Sequence, residues 1–155
     1  MVSAWRIVKA RYAANAFDGE GARRSGGRWN SPGTSVVYAS STASLAMLEM
    51  LVHLGAPGVL PGYVLIECRI DPALILPLQR AILPENWQAY PAPAEARAIG
   101  DRWVKQGRSV ALRVPSVVVP HEHNFLINPV HSKFPSVKIL PPTPFPFDPR
   151  LLRSK

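Results

Sequence analysis

Apolar and polar positions alternate most cleanly between Tyr63 and Ile70. Val64, Ile66, Cys68 and Ile70 fall on one face there, and Tyr63, Leu65, Glu67 and Arg69 on the other, which is the period-two pattern of a strand. Shorter apolar runs predict further strands over residues 4–8 (AWRIV), 35–39, 109–114, 117–119, 124–128 and 137–140. Pro115 separates 109–114 from 117–119, and Pro120 closes the second of these, because proline cannot donate to a ladder. The pattern changes from residue 41 to about Leu54, where Leu, Met, Ala and Val occupy every side of a helical wheel. Ser41 or Thr42 is the candidate N-cap, and Gly55 followed by Pro57 is a fitting stop. A helix apolar all round is expected to be buried. A second helix is predicted over 94–106, with Ala98, Ile99 and Trp103 inward and Gly107 at its end. Residues 11–35 read as one long polar, Gly-rich connection, and 72–93 as proline-rich loops and short turns. The proline-rich tail from about 141 is expected to pack across the surface.

Strands outnumber helices and do not alternate with them, so the fold class is α+β, a single domain of short strands with a few helices spanning 1–155. Seventeen prolines favour that class over a helical bundle, and no internal repeat is visible. With 47% hydrophobic and 18% charged residues, a packed core is expected rather than disorder. A lone cysteine, Cys68, cannot form an intramolecular disulfide, which suits a reducing cytoplasm. Arg6 and Lys9 interrupt the N-terminal run before it resembles a signal peptide. No stretch approaches the ~18 apolar residues of a membrane span, so no membrane association is expected.

The net charge of +8 changes the picture more. Thirteen of the eighteen cations are arginines, the side chain suited to gripping phosphate or carboxylate with a planar fork. Nucleic acid, an anionic substrate and an acidic protein partner compete as explanations. Only Arg23, Arg24 and Arg28 cluster, and no basic run interleaved with aromatics occurs, so the nucleic-acid reading is the weakest of the three.

Glu49 is the only acidic residue in the apolar helix. An unpaired buried carboxylate is expensive, which leaves two readings. One is a structural pair with an arginine, or with His53 one turn on. The other is a carboxylate lining a pocket, placed to stabilise a developing cation or activate water. Arg28 stands in GGRWN, where glycines let backbone amides approach an anion closely; a solvated surface turn is the alternative. Tyr38 ends the strand before the Glu49 helix and is either a core tyrosine or a platform for a flat ring. An arginine, a tyrosine and a glutamate grouped this way suit an anionic, aromatic small molecule such as a nucleotide. The H-x-H of His121 and His123, with His131 beyond, supplies too few ligands for a metal site, and none is expected. Cys68 reads as a buried hydrophobe. Phosphate-loop, dinucleotide-fold and serine-hydrolase motifs do not occur.

Several segments in order (AWRIV, GEGARRSGGRWNSPGTSVVYAS, SLAMLEMLVHL, IGDRWVKQGRSVALRVPSVVVP, HNFLINPVHSKF and FDPRL) resemble the RES domain family, the toxin half of bacterial RES–Xre toxin–antitoxin pairs. The resemblance covers nearly the whole chain. It implies a fold similar to ADP-ribosyltransferase toxins and NAD as substrate, with no further cofactor. The family's arginine, glutamate and serine carry onto Arg28, Glu49 and Ser116 of RVPS, although Ser40 and Ser132 also lie beside family-like motifs. Its active-site tyrosine carries onto Tyr38, and Asn128 of INPVH matches a pocket position. By the same resemblance Glu49 stabilises an oxocarbenium-like ribose and Arg28 holds the pyrophosphate. Tyr38 stacks on or shapes the nicotinamide pocket, and Ser116 hydrogen-bonds the ribose or the amide. The implied reaction is NAD hydrolysis, with ADP-ribose transfer or phosphorolysis at the same site as alternatives. A basic nucleic-acid-binding module without catalysis is the alternative of a different class. The implied partner is an Xre-type helix-turn-helix antitoxin that covers the site and itself binds DNA, with a homodimer inside the complex.

Overall fold

The computed structural model describes residues 1–54 and 62–152; the Gly55–Pro57 helix stop lies outside them. Eight short strands form one mixed sheet: β1 (Val2–Lys9), β2 (Val37–Ser40), β3 (Tyr63–Ile70), β4 (Ile75–Pro77), β5 (Ala111–Pro115), β6 (His123–Ile127), β7 (Lys138–Ile139) and β8 (Thr143–Pro144). The spatial order is β4-β5-β6-β2-β1-β3-β7, with β8 also on β3. β1 and β3 pair antiparallel along their whole length, from Val2 opposite Ile70 to Lys9 opposite Tyr63. β2 lies between β1 and β6, with Tyr38 opposite Leu126 and Ser40 opposite Asn124. β4 and β5 form the parallel pair.

The alternation along each strand sorts residues onto two faces. Ala4, Val37, Ala39, Ile66, Cys68, Ile70, Ala111, Phe125 and Ile127 gather on one face, where Phe17 and Val137 help to cover them. On the other face lie two helices. Ala46 of α2 (Ala43–His53; α1 is Glu20–Ser25) packs on Ile7 and Tyr63. The tail completes that cluster through Phe145 and Phe147, whose rings meet edge to face at 5.1 Å, so the strap expected from residue 141 onward is present. Ala96, Ile99 and Trp103 of α3 (Ala94–Gln106) pack on Leu112, Val114 and Leu126. The structure is therefore α+β, with α2 over β1 and β3, α3 over β5 and β6, and the space between them over the central strands forming the cleft. No described helix is long and apolar enough to cross a membrane.

Five expectations need correction. Residues 72–93 are not only loops and turns, since Ile75–Pro77 forms β4 and pairs with β5. Residues 11–35 are not one irregular connection: a 3-10 turn covers Ala10–Asn15, and α1 follows. Residues 117–119 form a bend rather than a strand, because the amides of Val118 and Val119 donate to the Ser116 hydroxyl and are unavailable to a ladder. Helix α2 is not buried all round: Leu45 and Ala46 are buried, but Leu48 and Val52 are 36% and 59% exposed. The sheet covers only one side of it. In α3 the inward positions are Ala96, Ile99, Gly100 and Trp103, whereas Ala98 lies at the margin.

Candidate functional site

The Gly-rich segment before β2 is a tightly wired turn. The side chain of Asn30, fully buried, donates to the carbonyls of Ala22, Ser31 and Thr34. Its Oδ1 accepts the Tyr38 hydroxyl proton at 2.5 Å, and the same phenol oxygen accepts the Trp29 amide at 3.0 Å. Gly27 is needed here, since a Cβ would stand 2.7 Å from the Tyr38 hydroxyl. The Ser31 amide donates to Asp101 of α3, and the buried Trp29 ring stacks on Trp87 with centroids 6.3 Å apart. Held on both sides, the turn projects Arg28 into the cleft. Its Nη1 donates to the carbonyls of Trp87 and Ala89, at 3.1 and 2.8 Å. Partial burial pulls the guanidinium below its usual value, and Glu49 is the foremost charge opposing that. The two groups are in electrostatic reach, but no ion pair joins them among the described residues.

Thr42 caps α2 by accepting the Leu45 amide at 3.0 Å, and Glu49 leaves the helix towards β5 and β6. Neither structural pair foreseen for it, with an arginine or with His53, is what holds it. Glu49 Oε1 accepts from Ser116 Oγ at 2.8 Å and from Asn124 Nδ2 at 2.7 Å. Ser116 is fully buried, and its oxygen already accepts the amides of Val118 and Val119. Ser40 donates to Asn124 Oδ1 at 2.8 Å. Both bonds to the carboxylate end on Oε1, so Oε2 has no hydrogen-bond partner among the described residues. Both donors to Oε1 are neutral side chains, and no cation is paired with Glu49 among the described residues.

Of the residues chosen from the sequence, Arg28, Glu49 and Ser116 converge on one cleft. Tyr38 lies beneath it, its hydroxyl spent on the Arg28 turn and its phenol pushed up by burial. Asn128 is not brought there. It sits beyond the opposite end of β6, about 13 Å from Asn124 at ~3.3 Å per residue, and its Oδ1 accepts the Val130 amide. Ser132 is exposed beside Met1 and Asp71. Ser40, the remaining serine, reaches Glu49 only through Asn124. Asn124 was missed, although HNFLIN places it two positions from Leu126 on the inward face of a strand, where a polar side chain needs a partner. Tyr90, 88% exposed and in electrostatic reach of Arg28, carried no sequence signal. Among the described residues no group of three His, Cys, Asp or Glu is placed to hold a metal ion.

Comparison with known proteins concerns the chain as a whole. The RES domain profile matches residues 3–148. A protein named Toxin Res from Yersinia enterocolitica is 43% identical over 148 residues, covering 95% of this chain and 97% of that one. The Prs ADP-ribosylating toxin of a Sphingobium species is 38% identical over 156 residues, covering 97% of each. The fold is similar to that of a chain in the crystal structure of the M. tuberculosis MbcT–MbcA toxin–antitoxin complex, with a TM-score of 0.74 at 19% identity over 97% of this chain and 86% of that one. Matched from near its first residue to the tail that closes over α2, the chain belongs to the RES domain family.

Proposed function

We propose that this protein is the toxin of a toxin–antitoxin pair and that it consumes NAD by hydrolysing the nicotinamide–ribose bond. The observation that carries the reading is the Glu49 carboxylate, fixed through Oε1 by Ser116 and Asn124 while facing Arg28 across the cleft. The names of the relatives, Toxin Res and an ADP-ribosylating toxin, support a toxin acting at the nicotinamide–ribose bond, which hydrolysis and transfer both break.

The chemistry needs few groups. Nicotinamide in NAD is a cation, so it leaves as a neutral ring by taking both electrons of its bond to the ribose C1′. No proton donor is required, unlike the two-carboxylate arrangement of ordinary glycosidases. The positive charge that grows on the ribose lies against Glu49, and water adds to C1′, losing a proton to the carboxylate or to solvent. Arg28 Nη1 is tied to two carbonyls, which leaves Nε and Nη2 as a fork for the diphosphate. Tyr38 acts beneath the site as a brace for the Arg28 turn.

Nicotinamide release from NAD by the purified chain tests this, with Glu49→Gln beside it. The variant keeps the size of the side chain and loses its charge, so turnover is expected to fall about 10²- to 10³-fold, the range for removing one transition-state electrostatic contact. Equal rates would sink the assignment. The second reading keeps the site but hands ADP-ribose to a protein, and the printed name of the Sphingobium relative favours it. Labelled NAD retained on a protein in lysate, without free ADP-ribose, would select transfer.

The proposed partner is an Xre-type helix-turn-helix antitoxin, through which any DNA contact runs. The exposed Leu48 and Val52 on the Glu49 helix, beside an arginine-bearing cleft on a chain of net charge +8, suit an acidic segment with apolar side chains. The reaction so proposed is cytoplasmic.

A further inference from the structure

We infer that Ser40 and Asn124 are positioning residues that divide the Glu49 carboxylate into a held oxygen and a working oxygen. Two donor chains end on Oε1, and in each the direction of donation is fixed from behind. Ser116 Oγ accepts two backbone amides, so its single proton has one place left to go. Asn124 is fixed in the same sense: its Oδ1 accepts Ser40, so the amide cannot flip without setting that oxygen against the carboxylate. The Ser40 hydroxyl is 4% exposed as a residue and opposite Asn124 in the β2–β6 register, so the sheet ladder itself sets the spacing. Oε2 receives nothing from the described residues, and it is the oxygen left to face the ribose. Arg28 is in electrostatic reach of the carboxylate, and His53 stands one turn further along α2. His123 leaves β6 on the opposite face, towards Arg113.

Catalytic consequence rests on the NAD reading; the orientation of Asn124 does not. Asn124→Leu removes a donor to an ionised group, so kcat is expected to fall about 10- to 100-fold with KM nearly unchanged, and Ser40→Ala about 2- to 10-fold. Asn124→Asp separates positioning from packing. Its ionised carboxyl opposes Glu49, whereas its protonated form donates as the amide does, so its activity should recover towards wild type as pH falls. Asn124→Leu should show no such recovery. A second readout is independent of catalysis. In 1H–15N spectra the Asn124 side-chain amide proton aimed at Glu49 is expected well downfield of its twin, and Ser40→Ala should draw the two together. If wild type releases nicotinamide but all three variants match it, the positioning role is overturned and the NAD reading stands. If wild type leaves NAD intact, the amide spectra decide the positioning alone, and an unchanged Asn124 pair in Ser40→Ala overturns it.

Discussion

Replacing Gly100 by alanine should damage the protein far more than one added methyl group suggests. Gly100 lies in the middle of α3, where an alanine is ordinarily worth about 0.5–1 kcal/mol of extra stability. Here an added Cβ would stand 1.8 Å from the Trp29 carbonyl oxygen and 2.9 Å from its carbon. Contacts below 3.0 Å are not sustained, so helix or turn must withdraw by at least 1.2 Å, the difference between those two distances. Neither can do so cheaply. Trp29 is buried, its amide bound to Tyr38 and its ring against Trp87; α3 carries the buried Ile99 and Trp103 on either side of Gly100. Overpacking costs about 1–3 kcal/mol when side chains yield, and backbone on both sides puts this case at the upper end. Net of helix propensity, the loss is about 2 kcal/mol or more, which for a chain of this size lowers Tm by about 4–8 °C. Gly21→Ala is the control, since it lies in α1 with nothing within 4 Å of a new Cβ, and it should raise Tm slightly. Thermal unfolding by circular dichroism reads both, and nicotinamide release reports on Arg28, the neighbour of Trp29. A Gly100→Ala protein with wild-type Tm and activity would refute the close approach of α3 to the turn, and with it the account of how Arg28 is placed.

Two further perturbations address buried side chains, one under the site and one in the core on the other face of the sheet. Tyr38→Phe leaves the Trp29 amide and Asn30 Oδ1 without their shared partner, so urea unfolding should show a loss of about 1–3 kcal/mol and KM for NAD should rise; an unchanged midpoint would remove Tyr38 from the turn's support. The Cys68 thiol is pushed up to about 12, chiefly by burial. It stays protonated in the folded state where the unfolded chain ionises, so its contribution is complete below about pH 9 and declines as pH rises towards 12. Stability measured from pH 8 to 10.5 should therefore fall less steeply in Cys68→Ala than in wild type, and parallel curves would contradict the assignment.

Much of the fold was legible because local pattern and final environment agree. The alternation of residues 63–70 gave a strand with Ile66, Cys68 and Ile70 in the core, and Thr42 capped its helix as its position suggested. The errors arose where one side chain overrode the pattern. Val117, Val118 and Val119 have strong strand preference, but the Ser116 hydroxyl captures two of their amides and turns the chain. The periodicity of α2 could not reveal that the sheet covers only one side of it, because composition does not say what a helix face meets. The convergence of Arg28, Glu49 and Ser116 was reached through the family motifs. Asn124 was overlooked because an asparagine inside an apolar strand declares a need for a partner without saying which. Asn128, in the equivalent setting four residues later, satisfies that need locally with the Val130 amide.

The way the site is assembled separates groups that must be accurate from groups that adapt. Ser40 and Asn124 are paired positions of adjacent central strands, and Ser116 directly follows β5, the next strand in the sheet. Their distances to Glu49 are therefore set by ladder geometry and by the packing of one helix on that ladder. Arg28 and Tyr90, in contrast, stand on connections, and the Arg28 guanidinium is bound to carbonyls of the same 72–93 stretch that bears Tyr90. On the NAD reading, the phosphates are gripped by a guanidinium whose Nη1 is anchored to the carbonyls of Trp87 and Ala89, so the grip depends on where that segment holds Arg28. Carboxylate placement is then expected to depend on the sheet, and substrate grip, on the NAD reading, on the 84–93 connection. Exchanging that connection between relatives should change KM for NAD and leave kcat nearly constant, because the ladder that holds Glu49 is untouched.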